Sequence, residues 1–263
     1  MKHLYAVCAY KESPFLRDCI VSLKTQTVPS DIILCTSTPC EHIQGVADEF
    51  GLQVRVNPDG PGIAQDWNFA MAEAKKEGAD FVTLCHQDDL YLPGYGEAFR
   101  EALKEDASPL IWFCDYGEKR GEDTVTESTL LKIKRMLRWR LKVKAWQTSR
   151  FAKHRSLALG QCIGCPSVTY NLGRIDLPLF RVGYKSDLDW EAFEKLSLME
   201  GRFCYERETL MLHRIHEEST TSHLLNDGIR KQEDYEMFCH FWPKPLAKII
   251  TRAYALSEKS NNL

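Results

Sequence analysis

Over its first 115 residues the chain alternates short apolar runs with amphipathic stretches so regularly that few folds can accommodate it. Leu4 to Ala9, Ile32 to Cys35 and Leu52 to Val56 read as strands. Between them Leu16, Ile20 and Leu23 recur at helical spacing, and a second helix is expected over Cys40 to Phe50. Ser13 can cap the first helix and Pro14 fits its first turn. A helix bearing Trp67, Met71 and Ala74, a strand from Asp80 to Cys85, a helix over Tyr95 to Leu103 and a strand from Leu110 to Cys114 continue the series. Strand and helix alternating through short connections predict an α/β fold with a mostly parallel central sheet flanked by helices. With 263 residues, 44% of them hydrophobic, the chain can bury a large core.

The strand at Asp80 to Cys85 runs into His86-Gln87-Asp88-Asp89 and then Pro93. Carboxylates at the carboxyl end of a strand in an open α/β sheet face the crevice where such sheets bind ligands. Hard oxygen donors there suit Mg²⁺ or Mn²⁺ bridging substrate phosphates. The plainer alternative is that Asp88 and Asp89 cap the helix following Pro93. Upstream, Asn57-Pro58-Asp59-Gly60-Pro61-Gly62 is a turn-rich loop whose glycines let backbone approach a ligand, or simply turn the chain.

Taken in order, these pieces resemble the family 2 inverting glycosyltransferases of GT-A fold, enzymes that use sugar nucleotides. The resemblance rests on Ala9-Tyr10-Lys11-Glu12 after the first strand and on Asn57, Gly62 and Asn68 around the third helix. It rests also on Gln87-Asp88-Asp89 with Pro93 four residues beyond. It implies donor contacts from Ala9, Tyr10, Glu12, Thr36, Ser37, Gly62, Asn68, His86 and Gln87, and a metal-binding carboxylate at Asp88 beside Asp89. There are departures: His86 replaces the family's first Asp, Thr36 and Ser37 stand where an Asp usually reads the base, and Trp67 replaces an Arg.

Further along, Lys185-Ser186-Asp187-Leu188-Asp189-Trp190 precedes an amphipathic helix and resembles the family's Glu-Asp motif, with Ser186 in place of Glu. That resemblance implies Asp187 as the base that takes the acceptor's proton, with Asp189 second. The alternative is that both are helix-start acids favoured by the macrodipole. His213-Arg214-Ile215-His216 resembles the segment that closes the catalytic domain, which implies Arg214 on the donor diphosphate and His216 as a metal ligand or a donor to the leaving phosphate.

Residues 130–156 carry ten cations and no acid, and leave the rest of a chain of net charge −3 at about −13. Leu130, Ile133, Leu137 and Leu141 recur at helical spacing among them, with Trp139 and Trp146 interleaved. Such a helix can lie on an anionic membrane surface, hold a polyanionic acceptor, or be a solvated insertion. Nucleic acid is not expected, because no RNA- or DNA-binding module is present and the remainder is acidic. The scattered cysteines suit reduced thiols, and Cys162 and Cys165 alone make a weak zinc motif. No apolar run approaches the roughly 18 residues needed to span a bilayer, and MKHLYAVCAYKESP lacks a signal peptide's apolar core.

The expected organisation is a nucleotide-sugar-binding half over 1–115, a basic helical insertion over 116–158, an acceptor half over 159–222 and a helical extension over 223–263. The expected activity is metal-dependent transfer from a nucleoside-diphosphate sugar to a saccharide or lipid-linked hydroxyl, as in bacterial polysaccharide or glycolipid synthesis. The expected location is the cytoplasm or the inner face of the membrane. A non-catalytic scaffold that binds nucleotide or anionic membrane is the alternative.

Overall fold

The computed structural model describes residues 1–216 and 229–261. The first half follows the alternation closely: β1 (His3–Ala9), α1 (Leu16–Lys24), β2 (Asp31–Thr36), α2 (Glu41–Phe50), β3 (Val54–Val56), α3 (Ile63–Lys76), β4 (Phe81–His86), β5 (Leu90–Tyr91) and α4 (Tyr95–Glu105). Gly51, at φ 62°, closes α2 in the left-handed conformation that glycine adopts without steric cost. Ser13 does not cap α1: its hydroxyl accepts from the Phe15 N–H, in the turn before the helix, and the N-cap position is Phe15.

The second half comprises β6 (Ile111–Arg120), β7 (Asp123–Val125), α5 (Thr129–Leu137), α6 (Arg150–Ser156), β8 (Val168–Asn171), α7 (Leu188–Leu198), β9 (Phe203–Ile215), α8 (Ile229–Phe241) and α9 (Lys244–Asn261). The sheet order is β3-β2-β1-β4-β8-β6-β9-β5, with β7 on β6. From β3 to β4 every pairing is parallel. Beyond β4 the sheet becomes mixed, because β8 runs antiparallel to both β4 and β6. The fold is therefore the expected GT-A, Rossmann-like α/β architecture, with parallel pairing from β3 to β4 and again between β6 and β9.

Both faces of the sheet are covered, so its strands are apolar on both sides. On one face Leu4, Ala6, Val82 and Leu84 pack with Met71 of α3, Trp190 and Phe193 of α7 and Phe238 of α8. On the other, Tyr5, Val7, Phe81 and Cys85 pack with Ile20 of α1, Ile43 of α2 and Phe99 of α4. The period-2 geometry of a strand divides the residues of β1 and β4 in this way. The site lies where these strands end.

The basic insertion is tied down from within. Arg138 is fully buried and donates to Asp115 at 2.6 Å, and Arg135 bonds the same carboxylate. Lys153 donates to the carbonyls of Met199 and Gly201 at 2.7 and 2.8 Å, and burial lowers its pKa to about 8. Its helix is broken, since α5 gives way to 3₁₀ turns at Arg138–Lys142 and Lys144–Trp146. The ten cations are thus not a uniform solvated face. All ten cysteines are free thiols. Among the described residues no helix is long and apolar enough to cross a membrane. The boundary expected at 222/223 lies outside the described residues.

Candidate active site

At the end of β4 the chain turns sharply, the Asp89 N–H donating to the His86 carbonyl at 3.3 Å, and β5 then pairs with β9. The helix after Pro93 has Gly94 at its N-cap with no side-chain cap, so neither aspartate serves that helix. Instead they point to different surroundings. Asp89 is fully buried; its Oδ1 accepts from His213 Nδ1 at 2.9 Å and from the Arg214 N–H at 3.0 Å. Its Oδ2 lies 3.7 Å from His86 Nδ1 and, among the described residues, has no hydrogen-bond partner, and neither does buried His86 Nε2. Asp88 is partly exposed, with Oδ2 2.9 Å from His216 Nε2.

Burial opposes ionisation of Asp88, but His86, the hydrogen bond from His216 and His213 prevail and hold its carboxyl below the usual range. For His213 burial opposes the charge, and the charge and hydrogen bond of Asp89 outweigh it, so its pKa is raised. His86, Asp88 and Asp89 offer one ligand atom each within 4.8 Å of one another. Oxygen and imidazole donors side by side, two of them orphaned and buried, fit a divalent cation, and the imidazoles favour Mn²⁺ over Mg²⁺.

The other expected donor contacts divide. Gln87 clamps the backbone of Tyr10, accepting its N–H at 2.9 Å and donating to its carbonyl at 3.0 Å. That leaves the Tyr10 ring and the Glu12 side chain exposed beside the turn, beyond buried Ala9. Thr36, paired with Ala9 in the sheet, is buried and accepts from the Thr38 N–H. Ser37 donates to Asp66 at 2.8 Å, and Asn57 donates to the other oxygen of Asp66 at 2.9 Å. A Cβ on Gly62 would meet only the mobile end of the Gln65 side chain, so the fold itself does not demand glycine there.

Two expected donor contacts are engaged otherwise. Asn68 is bound to the backbone of Phe180, donating to its carbonyl at 2.7 Å and accepting its N–H at 2.9 Å. Arg214 is largely buried; its Nε donates to the Asp88 carbonyl at 2.9 Å, and its guanidinium lies over Phe15 and reaches Asp18 at 3.4 Å. Both side chains hold the frame of the site. Trp67, where the family has Arg, stacks on His86 at 4.8 Å.

At the start of α7, Asp187 and Asp189 diverge. Asp187 occupies the N-cap position but makes no side-chain cap; it is buried, and burial followed by the charges of Asp234 and Asp189 drives its pKa well up. Asp189 is only partly buried. Its Oδ2 accepts from Gln161 at 2.7 Å and its Oδ1 from the Trp190 N–H at 2.8 Å. Burial raises its pKa, and the hydrogen bonds together with the nearby charge of Lys134 hold that rise back. Asp187 therefore faces Asp234 of α8, whereas Asp189 is held by Gln161 and the Trp190 N–H. Lys134, from the basic insertion, donates to Tyr116 Oη at 2.8 Å, and its charge acts on both Asp189 and His213.

Asp66, Lys134, Gln161 and His213 were not singled out in the sequence. His213 alone carried a signal, its place beside Arg214 in the closing motif.

The family model for glycosyl transferase family 2 matches residues 5–165. Among curated proteins none matches the chain. Several solved structures share the fold. S. aureus TarS (residues 1–349), in complex with UDP-GlcNAc, aligns with a TM-score of 0.65 at 15% identity, over 97% of this chain and 72% of that one. The mannosyltransferase PcManGT from Pyrobaculum calidifontis, with GDP-Man and Mn²⁺, aligns with a TM-score of 0.64 at 14% identity, over 97% and 69%. Glucosyl-3-phosphoglycerate synthase from Mycobacterium tuberculosis, with Mn²⁺ and UDP-glucose, gives 0.56 at 13% identity, over 89% and 77%.

Proposed function

The chain belongs to glycosyl transferase family 2, and we propose that it transfers a sugar, with inversion, from a metal-bound nucleoside-diphosphate sugar to a hydroxyl acceptor. The observation that carries this reading is the facing pair Asp88 and His216, 2.9 Å apart at the carboxyl end of β4, with Asp89 and His86 adjoining. Asp88 and His216 would hold the ion, and Asp89 Oδ2 and His86 stand within reach of it. A divalent cation bound there neutralises the diphosphate as the sugar departs.

The protein's own groups supply the rest. Asp189 is the base: the acceptor oxygen bonds to the anomeric carbon, the bond from that carbon to the diphosphate breaks, and the hydroxyl proton passes to the Asp189 carboxylate. Gln161 and the Trp190 N–H orient that carboxylate, and Lys134 favours its ionised form. Asp187, the first choice from sequence, has its carboxyl turned to Asp234. On the donor side, Asp66 supplies beside Ser37 and Asn57 the carboxylate that β2 lacks at its end. Gly62 leaves room for the nucleotide.

The acceptor is a saccharide or a lipid-linked saccharide of a bacterial surface polymer or glycolipid. The insertion supports work at an anionic membrane: Met136, Trp139, Trp146 and Phe151 are 60%, 46%, 42% and 72% exposed, and Trp139, Trp146 and Phe151 line a hollow of about 300 Å³ together with Arg140. We propose accordingly that the protein is cytoplasmic and peripheral to the membrane. Incubation with a panel of sugar nucleotides and Mn²⁺ tests the reading. Release of free nucleoside diphosphate from one of them supports it, and a flat panel with strong liposome binding favours the non-catalytic scaffold.

A further inference from the structure

The loop that leads into α7 is held from outside its own element. Glu233, on α8, accepts three successive backbone N–H groups: Lys185 at 2.9 Å, Ser186 at 2.7 Å and Asp187 at 3.0 Å. The Glu233 side chain is largely buried. A helix start carries unsatisfied amides and a partial positive charge. In most helices the N-cap side chain answers both, but Asp187 makes no such bond. Glu233 instead holds the three amides that lead up to and include the N-cap, and its negative charge suits the positive end of the helix.

The same helix is anchored to α7 by apolar contact. Trp190 meets Phe238 edge-on at 5.0 Å and stacks with Phe241 at 6.1 Å, and Tyr254 of α9 lies 6.1 Å away. Polar and apolar attachments thus fall on either side of Asp189, the next residue but one after the clamped amides. Glu236, one turn further along α8, accepts from the Tyr184 hydroxyl at 3.1 Å and touches none of those amides.

We propose that Glu233 is a positioning residue for the transfer step: it fixes the backbone of residues 185–187 and so sets where the Asp189 carboxylate meets the acceptor hydroxyl. This rests on the reading of Asp189 as the base. It makes the C-terminal helices part of the catalytic apparatus, although they touch no substrate.

The test compares Glu233→Ala, Glu233→Gln and the control Glu236→Ala in the full chain, by amide hydrogen exchange over residues 184–190 and by steady-state kinetics with the sugar nucleotide the parent turns over. In Glu233→Ala, exchange at 185–190 should rise by about tenfold or more. Its kcat should fall about 10- to 100-fold, as expected for a misplaced catalytic group, with donor KM within about twofold. Glu233→Gln, which keeps acceptor oxygen without the charge, should fall between it and the parent in both readouts, and Glu236→Ala should match the parent. Should Glu233→Ala not fold, Glu233→Gln carries the test with the same signs and smaller shifts. Unchanged exchange at 185–190, or raised exchange with parental kcat, overturns the proposal, and so does a loss expressed in donor KM. A parent that turns over no sugar nucleotide refutes the assigned reaction itself and the proposal with it, whereas an active parent with indifferent Glu233 variants refutes only the proposal.

Discussion

Two pairs of aspartates, one at the β4 turn and one at the head of α7, are built alike. At the β4 turn, Asp88 is partly exposed beside His216 while Asp89 is buried beneath it, bonded to His213 and the Arg214 N–H. At the head of α7, Asp189 is partly exposed and bonded to Gln161 while Asp187 is buried against α8. In each pair one carboxylate is partly exposed and the other is buried. The neighbours differ: around Asp88 they are imidazoles, and its carboxyl is held low, whereas burial raises both Asp187 and Asp189, helped at Asp187 by the charge of Asp234. The first environment suits an anion that must stay charged under a cation. The second suits one that must accept a proton.

The strongest way to break this comparison is to exchange the roles at α7. Asp189→Asn should lower kcat by about 10²- to 10⁴-fold, the usual range for a general base, with donor binding retained. Asp187→Asn should keep most of its activity, and equal losses in the two variants would show that the division at α7 is wrong. At the β4 turn, Asp89→Ala removes a buried anion from His213 and the Arg214 N–H, and should cost about 3 kcal/mol of stability in a denaturant titration. A midpoint unchanged from the parent would mean that Asp89 is not part of the frame.

Acidity sharpens the comparison further. Since Asp189 must be ionised to accept a proton and burial raises its pKa, the acid limb of kcat against pH should lie above the ordinary carboxylate range. Lys134→Met removes a charge that opposes the rise, so the limb should move to still higher pH; a limb that stays or moves down contradicts the pairing.

The smallest effect concerns Asp187. Burial and Asp234 raise its folded-state pKa above the unfolded one, so the folded chain holds the extra proton. Its share of stability is present below the ordinary carboxylate range and is lost as pH rises toward the folded value. Asp187→Asn should therefore stabilise the protein at pH 8 by about 1 kcal/mol and flatten that decline, as thermal midpoints across pH would record.

Much of this was legible in the sequence, for identifiable reasons. The apolar strands and amphipathic helices of the first half announced the fold because both faces of the sheet are covered there. The strand-end aspartates pointed to a cation site because the end of a strand in an open sheet delivers its side chains to the crevice. The choice between Asp187 and Asp189 was not legible. Residues two apart at a helix start differ by about 200° around the axis, so the two carboxylates meet different surroundings, and the contact of Asp187 with α8 comes from a distant part of the chain. Arg214 and Asn68 match motif positions, but their hydrogen bonds go to Asp88 and Phe180 backbone, which no local pattern encodes. The charge of residues 130–156 was plain; that Arg138 and Lys153 are buried in internal bonds was not.

The central claim is that a divalent ion at Asp88 carries the donor diphosphate. Calorimetric titration of UDP and of GDP, each with and without Mn²⁺, into the parent and into Asp88→Ala tests it most directly. The account predicts that the parent binds at least one of the two only when Mn²⁺ is present, and that the substitution weakens this binding by at least about tenfold. Equal affinity in parent and variant, or binding indifferent to the metal, would contradict it.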